Sequence, residues 1–169
     1  MANITIRKAR LADLPILVAL AREFERDHTR IVTRKNPKLK PYLVGKENAA
    51  RVFQKLLRQN LRSRNAAVYL AEAAGKPVGL SVLTVRENAR IYKLRRLGHI
   101  IILYVKENHR GLGVSTKLYE EALQWFSKKR LPYISLNVMT DNPSAHAIYE
   151  RWGFFDYQVE MRRKTESPR

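Results

Sequence analysis

Cysteine is absent from the 169-residue chain. That excludes disulfides, thiolate metal sites and a cysteine nucleophile together, and it fits a reducing, cytoplasmic setting. Long apolar runs are absent too. The longest, Ile100 to Val105, falls far short of the roughly 20 residues that cross a bilayer. The opening residues Met1 to Arg10 alternate in character and carry charge, so a secretory signal is not expected. No repeat or low-complexity stretch interrupts the chain. Acidic residues are scarce: 15 Asp plus Glu stand against 33 Lys plus Arg, a formal net charge of +18. Such a field draws polyanions and raises their encounter rates. RNA or DNA, an acidic protein and a phosphorylated cofactor all suit it, as does a generally basic proteome with no specific partner.

What is present suffices for one packed core. Hydrophobic residues make up 45% of the chain, ordinary for a globular domain. We expect one domain over residues 1–165 and a frayed basic tail over 166–169. Ile4 and Ile6 alternate with Thr5 and Arg7 as in a half-buried strand. Asp13 is placed to cap a helix with Pro15 in its first turn, and Leu14, Leu17, Val18, Ala21 and Phe24 form its apolar stripe. The segment Arg30 to Gly45, with Pro37 and Pro41, reads as a long loop or broken helix. Ala49, Val52, Phe53, Leu56, Leu57 and Leu61 mark a second helix. Val68 to Ala73 and Pro77 to Val85 read as a hairpin turning at Gly75. After the basic connection Arg86 to Arg96 comes a central apolar strand, Gly98 to Val105. A third helix follows (Leu118, Tyr119, Ala122, Leu123, Phe126), then a strand (Ile134, Leu136, Val138) and a fourth helix (Ala145, Ile148, Tyr149, Trp152). A last alternating strand carries Phe155, Tyr157, Val159 and Met161. The strand–helix–strand unit from Gly98 to Val138 implies a parallel pair with a right-handed crossover. A mixed α/β sheet with helices on both faces results.

The stretch from Leu103 to Ser115 concentrates the chemistry. A strand enters a loop carrying Gly111 and Gly113, and the loop opens a helix. Glycine permits positive φ and close backbone approach, and the free N–H groups of a helix start attract anions. The spacing matches neither the Walker nor the dinucleotide glycine pattern. An empty glycine turn is the plainer alternative. A second block, Asn142, Ala145, Tyr149, Gly153 and Phe154, completes a pair of motifs. Together they resemble the GNAT acetyltransferase superfamily, whose phosphate motif [Q/R]-x-x-G-x-[G/A] is met by Arg110, Gly113 and Ser115, with Ser replacing the final Gly or Ala.

The resemblance implies a GNAT-like sheet of six to seven strands, mostly antiparallel, with its central parallel pair splayed apart. It implies acetyl-CoA as cosubstrate. Backbone groups of Leu103, Tyr104 and Val105 would hold the pantetheine arm, amides of Arg110, Gly111, Leu112, Gly113, Val114 and Ser115 the pyrophosphate, and Asn142 the arm again. Tyr149 would protonate the departing CoA thiolate, though it also lies on an apolar stripe. The implied reaction is direct transfer of an acetyl group to a primary amine in a ternary complex. A protein N-terminus, a lysine and a small amine are the candidate acceptors. Many relatives carry a carboxylate base on the strand ending at Val105; here His99 is that strand's titratable group besides Tyr104. By strand alternation His99 should share a face with Ile101, Leu103 and Val105, and imidazole suits a base near neutrality. A water chain competes for that role. His28, His109 and His146 show no metal-ligand spacing, so no metal is expected. A basic protein associated with nucleic acid or ribosomes on the same scaffold is the alternative function, and both monomer and homodimer remain open.

Overall fold

The computed structural model describes residues 3–165. Strand β1 (Ile4–Lys8) precedes helices α1 (Leu14–Lys35) and α2 (Ala49–Arg62). Strands β2 (Ala66–Ala73), β3 (Lys76–Glu87) and β4 (Arg96–Val105) follow, then α3 (Val114–Lys128), β5 (Ile134–Leu136) and α4 (Pro143–Arg151). The sheet order is β1-β2-β3-β4-β5. The first three pairings are antiparallel and β4–β5 is parallel. The β2–β3 hairpin closes through Ala74 at φ 48 and Gly75 at φ 74, the pair of positive φ angles that suits a tight two-residue turn.

Helices cover both faces of the sheet. Leu17, Leu20 and Leu57, from α1 and α2, pack on Val68, Leu70, Leu80, Val82, Ile102 and Tyr104. On the other face Tyr119, Ala122, Trp125 and Phe126 of α3 pack on Ala67, Leu83 and Ile100. Burying one such leucine or phenylalanine fully stabilises the fold by roughly 1.5–3 kcal/mol.

The segment Arg30 to Gly45 takes the broken-helix form, helical through Lys35 because nothing breaks α1 before Asn36. Pro37 disfavours helical geometry in the residue before it. Asn36 is accordingly extended, at φ −133 and ψ 92, and a short 3-10 helix, Pro37–Tyr42, follows. Asp13 occupies the N-cap position of α1 without capping it by its side chain. Its carboxylate instead accepts from Arg10 N at 2.7 Å and from Arg7 at 2.8 and 2.9 Å. The described residues contain five strands, not six or seven. Phe155, Tyr157, Val159 and Met161 lie outside any strand and are 81%, 80%, 67% and 91% exposed. Alternation fixes which of their side chains share a face, but pairing also needs an available edge, and the edge strand β5 spans only Ile134–Leu136. Val138 also falls beyond β5. The expected frayed tail, 166–169, lies outside the described residues.

A bulge in β4 sets the geometry of the site. Val82 pairs with Ile102, but the next residue, Leu83, pairs with Ile100. Ile101 is therefore the extra residue, and the facing of side chains reverses across it. Ile100 packs with the α3 cluster and Ile102 with the α1 cluster although they are two residues apart. At Gly98 a Cβ would lie 2.5 Å from Phe126 and 2.8 Å from Ile134. Gly98→Ala will therefore push against a filled contact between β4, β5 and α3. Overpacking of this kind costs about 1–3 kcal/mol, and a urea unfolding curve should show the midpoint falling with its slope unchanged.

Candidate active site

The parallel pairing is short. β5 pairs with β4 only from Gly98↔Ile134 to Ile100↔Leu136, whereas β4 continues to Val105. On that side Leu103 and Val105 have no described strand to pair with and face a gap, whereas Tyr104 turns its backbone to β3, as Lys106 does through its bond to Val78 O. At the end of the gap the chain turns through Gly111 (φ +75) and Gly113 (φ +77) into α3. Gly113 is the left-handed N-cap of that helix. From Gly111 to Thr116 no amide donates a hydrogen bond to a protein group among the described residues, and the next amide, Lys117 N, reaches Gly113 O. Unpaired amides at a helix N-terminus, reinforced by the helix dipole, make an anion site. A Cβ added at Gly111 or Gly113 would meet nothing within 4 Å. The cradle is open, and its donors suit a pyrophosphate.

Arg110 is fixed beside this cradle. Its Nη2 donates to Asp27 Oδ2 at 2.8 Å and its Nε to Val105 O at 3.1 Å. Tyr104 Oη donates to the same Asp27 oxygen at 3.0 Å. Burial, followed by this bond to Asp27, pushes the Tyr104 phenol up to about 12. Arg30 joins the network through Asp27 at 3.1 Å and Glu107 at 2.9 Å. An adjoining cavity of about 480 Å³ is lined by Glu23, Arg26, Asp27, Tyr104, Lys106, Glu107 and Asn108.

His99 does not share a face with Leu103 and Val105. Gly98 and Ile100 face α3, so His99 between them projects to the α1 side. Leu103 and Val105 lie beyond the bulge and pack toward α3. His99 Nδ1 is 2.9 Å from Ser135 Oγ, and Ser135 Oγ is 3.2 Å from Gly98 O. A serine hydroxyl has one proton. The 2.9 Å contact fits two tautomers: Nδ1–H donating to Oγ, which leaves the Nε2 lone pair free, and Oγ donating to Nδ1. Burial, and secondarily the positive charge of Arg86, hold the His99 pKa below 6.5.

Tyr149 is half-buried on α4, its ring 5.9 Å from that of Trp152 and 6.0 Å from that of Phe154. Burial raises its pKa, so the phenol keeps its proton at neutral pH. Asn142 caps α4, its Oδ1 accepting from Ala145 N at 3.3 Å. The other histidines are spread over the surface and the α1 packing. His28 stacks on Phe24, His109 meets Asn108, and His146 meets Asp156 and Glu150. Sequence reading alone missed Asp27 and Ser135. Asp27 lies 83 residues from Arg110, beyond any local spacing. Ser135, the polar residue between Ile134 and Leu136, becomes visible only once the parallel register sets it beside His99.

The family model described as Acetyltransferase (GNAT) family matches residues 21–154. A mycothiol acetyltransferase of Streptomyces coelicolor is 28% identical over 102 residues, 60% of this chain and 31% of that protein. An N-acetyltransferase of Methanocaldococcus jannaschii of unassigned role is 28% identical over 118 residues, 70% of this chain and 50% of that one. The chain thus spans a third to a half of these relatives' length. A protein of Bacillus halodurans superposes with a TM-score of 0.79 at 16% identity, over 95% of this chain and 99% of that one. A predicted acetyltransferase of Clostridium acetobutylicum, solved with acetyl-CoA, gives 0.75 at 15% identity, over 96% of each chain. An aminoglycoside N-acetyltransferase solved with CoA gives 0.73 at 15%, over 97% and 96%. The family match over most of its length identifies this chain as a member of the acetyltransferase (GNAT) family.

Proposed function

We propose that the chain is an acetyl-CoA-dependent N-acetyltransferase that moves an acetyl group to a primary amine by direct attack in a ternary complex. The observation that carries this reading is the row of unpaired amides from Gly111 to Thr116 at the mouth of the β4–β5 gap. A cofactor pyrophosphate satisfies those donors, and the extended arm lies along the gap-facing backbone of Leu103 and Val105. The relatives named for mycothiol and aminoglycoside acetylation support an amine acceptor. A screen of amines with purified protein, read as free CoA released, tests the reading. Release with no amine in the panel, peptide N-termini and lysine peptides included, would count against it.

In the chemistry the thioester supplies an activated acyl carbon. The acceptor must shed a proton as its nitrogen bonds to that carbon, and His99 Nε2 is the group we assign to receive it. As the carbon–sulfur bond breaks, Tyr149 Oη gives its proton to the leaving thiolate. Asp27 holds Arg110 and Tyr104 and so stiffens the wall between cradle and cavity.

The sign of the pH dependence follows from the environment of His99. Burial and Arg86 both disfavour the imidazolium, so the folded pKa lies below 6.5 and the base form dominates at pH 7. The expected kcat/KM therefore rises through an acidic limb below pH 6.5 and is level above it. His99→Gln should lose that limb and at least about tenfold in rate, within the range of general-base effects. Ser135→Ala should keep the limb but lower the plateau, because the Nδ1–H tautomer that this role requires loses its acceptor. If His99→Gln keeps both the wild-type rate and the limb, a water chain does the work.

A further inference from the structure

Helix α2 carries a feature that acetyl transfer does not use. Its sequence, Ala49 to Arg62, contains no Asp or Glu. Arg51, Lys55, Arg58 and Arg62 are exposed and recur three or four residues apart, so they share one face. The opposite face is anchored: Leu57 is fully buried, and Phe53 and Leu61 pack on the same core cluster. The cationic stripe therefore points away from the protein. None of the four is in an ion pair among the described residues, unlike Arg30, which meets Asp27 and Glu107, and Lys106, which meets Glu23. Like charges three and four residues apart destabilise a helix by about 0.2–0.5 kcal/mol per pair. This helix carries that repulsion with no carboxylate to offset it. A shallow trough of about 200 Å³ runs along the stripe, with Gln54 and Gln59 lining it beside the four cations.

We propose that this face of α2 is a docking surface for the phosphate backbone of an A-form RNA duplex. The stripe repeats about every 5.5 Å along the helix axis, from a rise of 1.5 Å per residue, and so offers a row of cations to a row of phosphates. No aromatic side chain stands on the stripe, which disfavours single strands, since those are bound by base stacking. Gln54 and Gln59 supply neutral donors and acceptors of the kind that engage ribose 2′-hydroxyls, a discriminator of RNA from DNA. An acidic peptide offers neither a regular phosphate row nor those hydroxyls. The proposal stands apart from the acetyl-transfer reading, since α2 contributes no residue to the cradle.

The test is fluorescence anisotropy with the full chain and a labelled 20-base-pair RNA duplex, titrated at several salt concentrations. Two variants are compared. One replaces Arg51, Lys55, Arg58 and Arg62 with Gln; the control replaces Arg90, Lys93, Arg95 and Arg96 of the β3–β4 connection with Gln. Both remove four charges, so a general loss of field is matched. Each phosphate contact contributes about 0.7–0.9 to the slope of log K against log salt. The α2 variant should lose about 3 from the slope and the control about 1 or less. The double variant Arg58→Gln/Arg62→Gln should lose about half as much as the α2 variant and guards against misfolding of the larger one. A DNA duplex of the same sequence and poly-glutamate should each bind at least about tenfold more weakly than the RNA. Equal slope losses in both quadruple variants, or binding of DNA or poly-glutamate as tight as RNA, would overturn the proposal.

Discussion

A Gly113→Trp variant will fold and will fail to bind CoA, with Kd rising at least about 100-fold. Two observations set this expectation. The Cβ position of Gly113 meets no protein atom within 4 Å, so a side chain there starts into open space rather than into the core. The space it enters is the one the unpaired amides of Gly111 to Thr116 face. The backbone at Gly113 is left-handed, at φ +77, and an L-residue there costs about 1–2 kcal/mol. That cost lowers stability without explaining a loss of binding. Gly75→Trp separates the two effects. Gly75 has φ +74 and equally open surroundings, but it sits in the β2–β3 hairpin turn. It should lose similar stability by thermal denaturation and bind CoA as the wild type does. If Gly113→Trp binds CoA normally, the phosphates are held elsewhere.

Tyr149→Phe will lower kcat by about 10²–10⁴-fold, the usual range for loss of a positioned acid, and will leave the Kd for acetyl-CoA within about twofold. The phenol is half-buried against Trp152 and Phe154, and burial holds its pKa above 10. It is therefore protonated across the neutral range and remains a donor where a carboxylic acid would not. Phenylalanine keeps the ring contacts and removes only the hydroxyl, so stability should change little. The comparison is a pre-steady-state burst assay beside an equilibrium binding titration. Equal turnover in the two proteins would reduce Tyr149 to a packing residue.

The fold was legible where local pattern and pairing agree. The hairpin at Gly75, the crossover through α3 and the apolar faces of α1 and α2 all follow from period and turn chemistry, and each is present. Pro37, in the segment read as a long loop or broken helix, does break the helix and sets the end of α1. Pattern misled where another force decided the outcome. The alternation of Phe155, Tyr157, Val159 and Met161 specifies a strand face, yet pairing depends on the length of β5, which their own sequence does not encode. The facing of His99 was misread because alternation assumes an unbroken register. The bulge at Ile101 reverses it, and nothing in the run Ile100-Ile101-Ile102 marks which residue is extra. In the site, the glycine turn could be read directly, since left-handed φ at Gly111 and Gly113 is what glycine spacing before a helix signals. Asp27 and Ser135 could not, because their partners lie 77 and 36 residues away and only the tertiary fold joins them.

The central claim is that the cradle from Gly111 to Thr116 binds the pyrophosphate of acetyl-CoA. Isothermal titration of the folded wild-type chain with acetyl-CoA tests it most directly. The account predicts one site per chain with a micromolar Kd, about −8 kcal/mol, for both acetyl-CoA and CoA. It also predicts clear weakening with 4′-phosphopantetheine, which retains the arm but lacks the pyrophosphate. No heat at millimolar acetyl-CoA with folded protein, or equal affinity for 4′-phosphopantetheine, would contradict it.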